Sequence, residues 1–470
     1  MAIFAERNMI SRERRLFTLS AFQGNNQALL EELSRQEPRQ MIRTLTQANP
    51  DDILEALDLL STITDVVTVI HGVSGCAAAA LDFYRNSRGV WYSTALNEQD
   101  TILGSDDKLR ATLERAYREH HPRAIFILGT PVVAINNDDI NSVILDLEEE
   151  YNTRIISIVT DGFKSKAGVN GIDITLHGIG KHLVGAADGE DPDPAFEDFI
   201  NLIAVSENRR GVDALSALIR SIGAGVNVIP RYAAVSRIAR AGEAKASIAI
   251  NDSRADIFLQ GLPEKTGVVS LRSRTPIGPA AVSDWLLAAG KSIHCGDAAA
   301  AIIERETKAW ESRFAEKPLA GKGVFLALPA GEAVEAALFL KDLGAEITGI
   351  SIDSADGTIA GALERLPSDV FVHVGNGQPF ELAAIFSKNR PDFFVAGTSA
   401  AWAAGFGALP VSVEHQTLYG YGGAEELIRA IKDAEKLRGY ADYLFANGQH
   451  PYKEAWLKKS ANWHVKLEVK

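Results

Sequence analysis

Cysteine is nearly absent from this chain: 470 residues hold two, Cys76 and Cys295. Two thiols cannot build a disulfide framework, and a reducing compartment suits the composition. Nor can they complete a cysteine-ligated cluster. Any bound metal must draw its other ligands from other residue types or from a second chain. Long hydrophobic runs are also missing, and no stretch is apolar and long enough to span a bilayer. The opening residues MAIFAERNMISRERRLF carry charges where a secretory signal needs its apolar segment. The expectation is a cytoplasmic protein with no membrane contact. Positive charge is in deficit, with 48 Lys and Arg against 61 Asp and Glu, a net charge of −13. Nothing offsets a phosphate backbone, and no long basic run appears, so nucleic acid is excluded as a general partner. Low-complexity sequence is absent as well. Disorder is expected only in the first residues and in the tail from about Gly448 to Lys470.

What is present is apolar material, 46% of the residues, in a chain too long for one core. About two to four domains follow from that length. Residues 1–60 read as a helical segment. LFTLSAFQGNNQALLEELSRQ and DDILEALDLLSTI both have helical spacing, with Asn49-Pro50-Asp51 as the entry to the second. From residue 65 short β-branched runs alternate with amphipathic stretches. VVTVI (66–70), AIFIL (124–128) and IISIV (155–159) form a first set over 61–200. NLIAV (201–205), VNVI (226–229), SIAI (247–250) and VVSL (268–271) form a second over 201–320. GVFLA, EITGISI, DVFVHV, DFFVAG and LPVSV form a third over 321–470. This rhythm predicts an α/β protein of three Rossmann-like domains, each a small parallel sheet flanked by helices.

Motifs for common chemistries fail in turn. There is no Gly-x-Gly-x-x-Gly after a strand and no Gly-Lys-Ser/Thr loop, so no nucleotide is expected to bind; Gly375-Asn376-Gly377 reads as an ordinary turn. Gly72-Val73-Ser74-Gly75-Cys76 is not a serine nucleophile elbow, because Cys76 takes the place of its last glycine. The ten histidines form no zinc-binding spacing. Cys76 follows a strand and opens a helix, where the dipole lowers a thiol's pKa. A nucleophile, a metal thiolate and a buried small residue all suit it, and composition alone favours the last. Cys295, in IHCGDAAAAI, reads as structural.

A series of segments then resembles one family. His71-Gly-Val-Ser-Gly-Cys76 resembles the His-Gly-x-x-Gly-Cys of nitrogenase component 1 proteins. STALNEQDTILGSDDKL (93–109), HPRAIFILGTPVVAINNDDI (121–140) and IISIVTDGFKSKAGVNGIDITLHGI (155–179) follow at matching intervals. TPIGPAAVSDWL (275–286), RPDFFVAGTSAAWAAGFGALPVSV (390–413) and TLYGYGGAEEL (417–427) continue the series. The resemblance covers roughly residues 40 to 435. It implies three Rossmann-like domains and a homologous α-like partner, paired as a heterodimer and doubled to a heterotetramer. It also implies electron delivery by an ATP-hydrolysing iron protein, through an iron–sulfur cluster between the paired subunits.

Departures from the family pattern narrow this. A nitrogenase subunit brings three cysteines to the interfacial cluster, and this chain keeps Cys76 alone. Asn49-Pro50-Asp51-Asp52 stands at the first position and Thr130-Pro131 at the Thr-Cys. No cysteine stands near Asn251-Asp252-Ser253, where an α subunit holds its catalytic cofactor. The resemblance thus implies a β-like subunit of a nitrogenase-like reductase, with Cys76 as one ligand of a shared 4Fe-4S cluster rather than an eight-iron one. Asp51 is a weak second candidate ligand beside its reading as a helix-entry charge. Gly72 and Gly75 would let the backbone approach the cluster, and His71 would lie near a cluster sulfur or end its strand. Asn97, Glu98 and Asp100 would help meet the iron protein. Asp138-Asp139 reads as a helix cap, and Tyr419 and Tyr421 as packing at the subunit interface. A cofactor-assembly scaffold subunit is the alternative, and a cluster-free structural partner the second.

Overall fold

The structure is a computed structural model. It describes residues 3–5, 17–39, 41–43, 51–83, 89–151, 153–162, 169–186, 198–375, 378–397, 400–413, 417–448, 451–460 and 463–467. Asn49-Pro50, Asn376-Gly377 and residues 163–168, which the sequence reading uses, lie outside these.

Three sheets carry the chain. The first is parallel, in the order Val90–Ser93, Val66–His71, Ala124–Gly129, Arg154–Val159. The second is also parallel: Val269–Leu271, Ala246–Ala249, Phe199–Ala204, Gly225–Pro230. The third has six strands: Phe22–Asn25, Phe371–Val374, Glu346–Ile352, Gly323–Ala327, Phe393–Ala396, Leu409–Ser412. Among the described residues its one antiparallel member is Phe22–Asn25, against Phe371–Val374.

That strand corrects the reading of the N-terminal stretch as helix. The side chain of Asn25 accepts from Ala28 N at 2.9 Å and starts the helix Asn26–Leu33 there, so the residues before it are free to extend. Val90–Ser93 was missed for another reason. It is four residues long with one buried position, too little to show a period. The tail is corrected too: Val465–Leu467 pairs with Met41–Arg43, and Glu454–Leu457 is helical.

Periodicity explains how the sheets stack. Along Phe199–Ala204, Ile200, Leu202 and Ala204 face one core, shared with Val324, Leu326 and Ile350 of the third sheet. Ile203 faces the other way, into a core with Ile70, Phe126 and Ile156 of the first sheet. The middle sheet is therefore buried on both faces, as near-continuous apolar parallel strands should be. Phe4 closes the first seam. Its ring fills a notch made by Gly180 and Gly261, where an added Cβ would fall 2.3 and 2.4 Å from it. Trp285, fully buried, bonds Ala249 O through Nε1 at 3.0 Å and anchors the other core.

Candidate functional site: a thiol at the first switch point

In an open parallel sheet, ligands bind beyond the carboxyl ends of the strands, where the strand order reverses. From Val66–His71 the chain first steps outward to Val90–Ser93, then crosses to Ala124–Gly129 on the other side. The first switch point therefore lies between Val66–His71 and Ala124–Gly129. The residues at its carboxyl edge are the His71–Cys76 turn and Thr130.

Cys76 sits in the first turn of the helix Ser74–Phe83, with its N–H on Val73 O at 3.0 Å, and is partly exposed. Space beside it is open, since a Cβ on Gly75 would meet nothing within 4 Å. Gly72 is different. A Cβ there would fall 2.0 Å from Thr130 Oγ1, so only glycine fits against that side chain. The thiol's pKa is raised, first by burial and then by the Asp51 carboxylate, and the Thr130 hydroxyl draws it back down. The direction is opposite to that expected from the helix start, and its causes are burial and a neighbouring anion. Asp51 caps the helix Asp52–Leu60, its Oδ1 accepting from Leu54 N at 3.0 Å.

His71 is fully buried, and both its ring nitrogens are engaged. Nδ1 is 3.1 Å from Thr94 Oγ1, and Nε2 is 3.2 Å from Ser105 Oγ. Ser105 donates to Asp138, whose Oδ2 lies 3.6 Å from Nε2. Gly72 N–H donates to Thr94 Oγ1 at 3.0 Å. One tautomer satisfies all of these. Nε2–H donates to Ser105, whose proton goes to Asp138, and Nδ1 faces the Thr94 hydroxyl, whose one proton is shared between Nδ1 and Gly72 O at 3.3 Å. His71 thus ties the Gly72 turn to the neighbouring loops. Sequence reasoning places Thr130 at the family's Thr-Cys position and Thr94 and Ser105 within a matching segment but gives none of them a role; only the fold brings them to His71 and Cys76.

Burial pushes the His71 imidazole down to about 4, and Asp138 only partly opposes this. Its pKa is depressed in the fold, so the unfolded chain takes the proton first as pH falls. Stability from this residue is whole above about 6.5 and is lost progressively down to about 4, a loss of about 3 kcal/mol. Urea melts of the chain at pH 7 and pH 4.5 should show a steeper acid loss for wild type than for His71→Gln.

The other residues singled out in the sequence have these local contacts. Asn97 and Asp100 form a capping box on the helix Glu98–Leu103, Glu98 is exposed, and Asp139 caps Ile140–Glu150. Tyr419 does not lie at a subunit surface. It is buried inside the chain and donates to Glu332 Oε1 at 2.6 Å. Tyr421 lies 3.0 Å from Ser283 Oγ. Cys295 packs against the core shared by the second and third sheets.

The second switch point, between Phe199–Ala204 and Ala246–Ala249, carries Asn251-Asp252-Ser253 and is filled by polar pairs. Ser253 donates to Asn251 at 2.8 Å, and Arg254 bonds Ser206 Oγ at 3.0 Å and Asp353 Oδ2 at 2.8 Å. Burial raises the Asp252 carboxyl to about 6 and Glu332 to about 7. The cavity lined by Ser253, Arg254, Ala330 and Asp353 measures about 20 Å³, room for about one water. A large thiolate-held cofactor does not fit there. A much larger cavity, about 790 Å³, lies among Tyr117, His121, Arg123, Tyr151 and Arg154. It opens at the amino ends of the first sheet's strands, opposite Cys76.

No three His, Cys, Asp or Glu among the described residues converge to hold a metal ion. Cys76 is the one thiol at this edge among the described residues. Apolar side chains are exposed on the helices that follow the two strands neighbouring Val66–His71. Ile102 and Leu103 are 81% and 83% exposed, and Ile135, on the helix Pro131–Asn136 that starts at Thr130, is 69% exposed. Asn136 Nδ2 bonds Thr101 O at 3.1 Å and joins the two helices.

Fold and site together define a class: three stacked α/β units, with a lone accessible thiol at the first switch point and a closed second one. The chain belongs to the nitrogenase component 1 type oxidoreductase family, whose model matches residues 55–435. It is 24% identical over 393 residues to the nitrogenase iron-molybdenum cofactor biosynthesis protein NifE of Sinorhizobium fredii, covering 79% of this chain and 78% of that one. It is 26% identical over 225 residues to NifE of Methanococcus maripaludis, and there the match spans 46% of this chain and 45% of the relative's length. The nitrogenase molybdenum-iron protein alpha chain of Methanosarcina barkeri is 26% identical over 223 residues, 45% of this chain and 41% of that one. The solved structure of nitrogenase Cp1 at pH 5 shares the fold, with a TM-score of 0.73 at 16% identity, over 96% of this chain and 99% of that one.

Proposed function

We propose that this chain is the one-thiol, β-like subunit of a two-subunit nitrogenase-like reductase. In this reading Cys76 supplies one ligand to a 4Fe-4S cluster at the interface. A homologous α-like subunit supplies the other ligands and binds most of the substrate, and the pair doubles to a heterotetramer. The cluster, when bound, would relay single electrons at low potential from an ATP-hydrolysing iron protein. The observation that carries the reading is Cys76 itself. It is partly exposed, at the first switch point, in front of the open space at Gly75, on an edge bordered by Ile102, Leu103 and Ile135. A lone thiolate needs other ligands, and an uncovered apolar rim needs a partner.

This chain's residues divide the work. Cys76 would hold the cluster. Gly75 leaves its approach open, and Gly72 admits Thr130 beside it. His71, Thr94 and Ser105 fix the turn so that the thiol's position does not wander. Asp51 caps its helix and places a negative charge near the sulfur, and we assign it no ligand role. The second reading, a subunit of a cofactor-assembly scaffold, draws on the NifE relatives and uses the same Cys76 geometry.

Anaerobic co-purification with the partner, followed by iron analysis, tests the shared cluster. Iron-protein-driven substrate reduction supports the reductase, and transfer of a bound cofactor to another protein supports the scaffold instead. The apolar rim gives a further expected outcome. Leu103→Asp together with Ile135→Asp should weaken partner binding at least about tenfold, because each buries a charge in the interface core. The folded chain should be unaffected, since both side chains are exposed in it. Sedimentation analysis of the complex reads this, and unchanged assembly would exclude this edge as the interface.

A further inference from the structure

Thr130 is the N-cap of the helix Pro131–Asn136, with extended backbone angles suited to capping, yet its side chain caps nothing. It is fully buried, and Oγ1 has no hydrogen-bond partner of full geometry. Its backbone is fixed, with the N–H on His71 O at 3.1 Å and the carbonyl receiving Ala134 N at 3.1 Å. The hydroxyl turns away from its own helix toward Gly72, where even a methyl group has no room. Its polar neighbour on that side is the Cys76 thiol. A buried hydroxyl left without a full partner costs stability. A weak acceptor such as a neutral thiol repays little of this, whereas a thiolate sulfur would be a strong acceptor.

We propose that Thr130 is a positioning residue whose hydroxyl donates a hydrogen bond to the Cys76 sulfur once that sulfur is a cluster ligand. The inference rests on the reading of Cys76 as a ligand. A donor on a ligating sulfur stabilises the more negative, reduced cluster and so raises its potential. The chain alone carries the cost of an idle donor, and the cluster-bearing complex uses it. Thr130 should therefore have opposite effects in the two states.

The test uses Thr130→Val, which keeps shape and removes the hydroxyl, and Thr130→Ser, which keeps the hydroxyl. In the chain alone, Thr130→Val should raise the melting temperature and Thr130→Ser should not. In the purified complex, Thr130→Val should retain its iron. The cluster's oxidised-to-reduced ratio at fixed potential should rise about tenfold, a midpoint lower by ~59 mV for a one-electron couple. Thr130→Ser should stay near wild type. A chain destabilised by Thr130→Val, or an unmoved midpoint, would overturn the proposal and leave Cys76 as ligand. Unchanged iron in Cys76→Ala would overturn the ligand reading itself, and this inference with it.

Discussion

Cys76→Ala should strip the cluster from the paired subunits while leaving this chain folded. The side chain is partly exposed and its sulfur has only the weak Thr130 contact described above, so the stability of the chain alone should change by no more than about 1 kcal/mol. The metal should respond very differently. Loss of groups that merely support a ligand costs about 10–100-fold in metal affinity, and loss of the ligand should cost at least about 100-fold. Iron per heterodimer and the cluster's electron paramagnetic resonance signal should both fall. Cys76→Ser should fall between, since a serine oxygen is a harder and poorer iron ligand. Normal iron content in Cys76→Ala would show that the thiol is only packing. Cys295→Ala is the control, because that residue lies against the core of the other two sheets.

The strands that sequence periodicity exposes are those buried on both faces. Val66–His71 and Ala124–Gly129 have every position buried, and such runs stand out without any knowledge of the partner strands. Phe22–Asn25 and Met41–Arg43 are set by pairing with Phe371–Val374 and Val465–Leu467, hundreds of residues away. Their local sequence carries almost no signal, because the decisive contacts are tertiary.

The site divides in the same way. HGVSGC is legible because a turn that must use glycine and present a thiol leaves a fixed pattern. The roles of Thr130, Thr94 and Ser105 are not legible, although Thr130 stands at a family motif position. Threonine and serine at strand ends are common, and their meaning comes only from which side chain they face. Tyr419 was misplaced for a related reason. A tyrosine in a glycine-rich segment resembles a surface contact until the fold shows Glu332 beneath it. The helix-start argument for a low thiol pKa counts the dipole and leaves out the burial and the Asp51 charge, which raise the thiol and are visible only in the fold.

Glu381→Leu should cost about 3–5 kcal/mol and release the C-terminal segment. Glu381 is 1% exposed and meets donors from Gln23, His373 and His464, two of them far away in sequence. His464 Nε2 lies 2.8 Å from Oε1, while His373 Nε2 and Gln23 Nε2 both reach Oε2, the latter at 3.3 Å. His373 is held in turn by Ser351 at 2.7 Å. The carboxylate thus joins the N-terminal strand, the third sheet and the tail. Leucine would keep the volume but leave these buried donors without their acceptor, and removing one partner of a buried charged pair typically costs this much. His464→Leu should cost less, about 1–3 kcal/mol, because the carboxylate keeps His373 and Gln23. Phe380 would still hold the tail through Tyr452 and Trp456, with ring centroids 5.4 and 5.8 Å apart. Urea denaturation reads the stability, and limited proteolysis with hydrogen exchange over residues 451–467 reads the release. A Glu381→Leu chain with wild-type stability would show that the carboxylate is replaceable packing. Release of the tail without loss of the third sheet would show instead that Glu381 serves the tail alone.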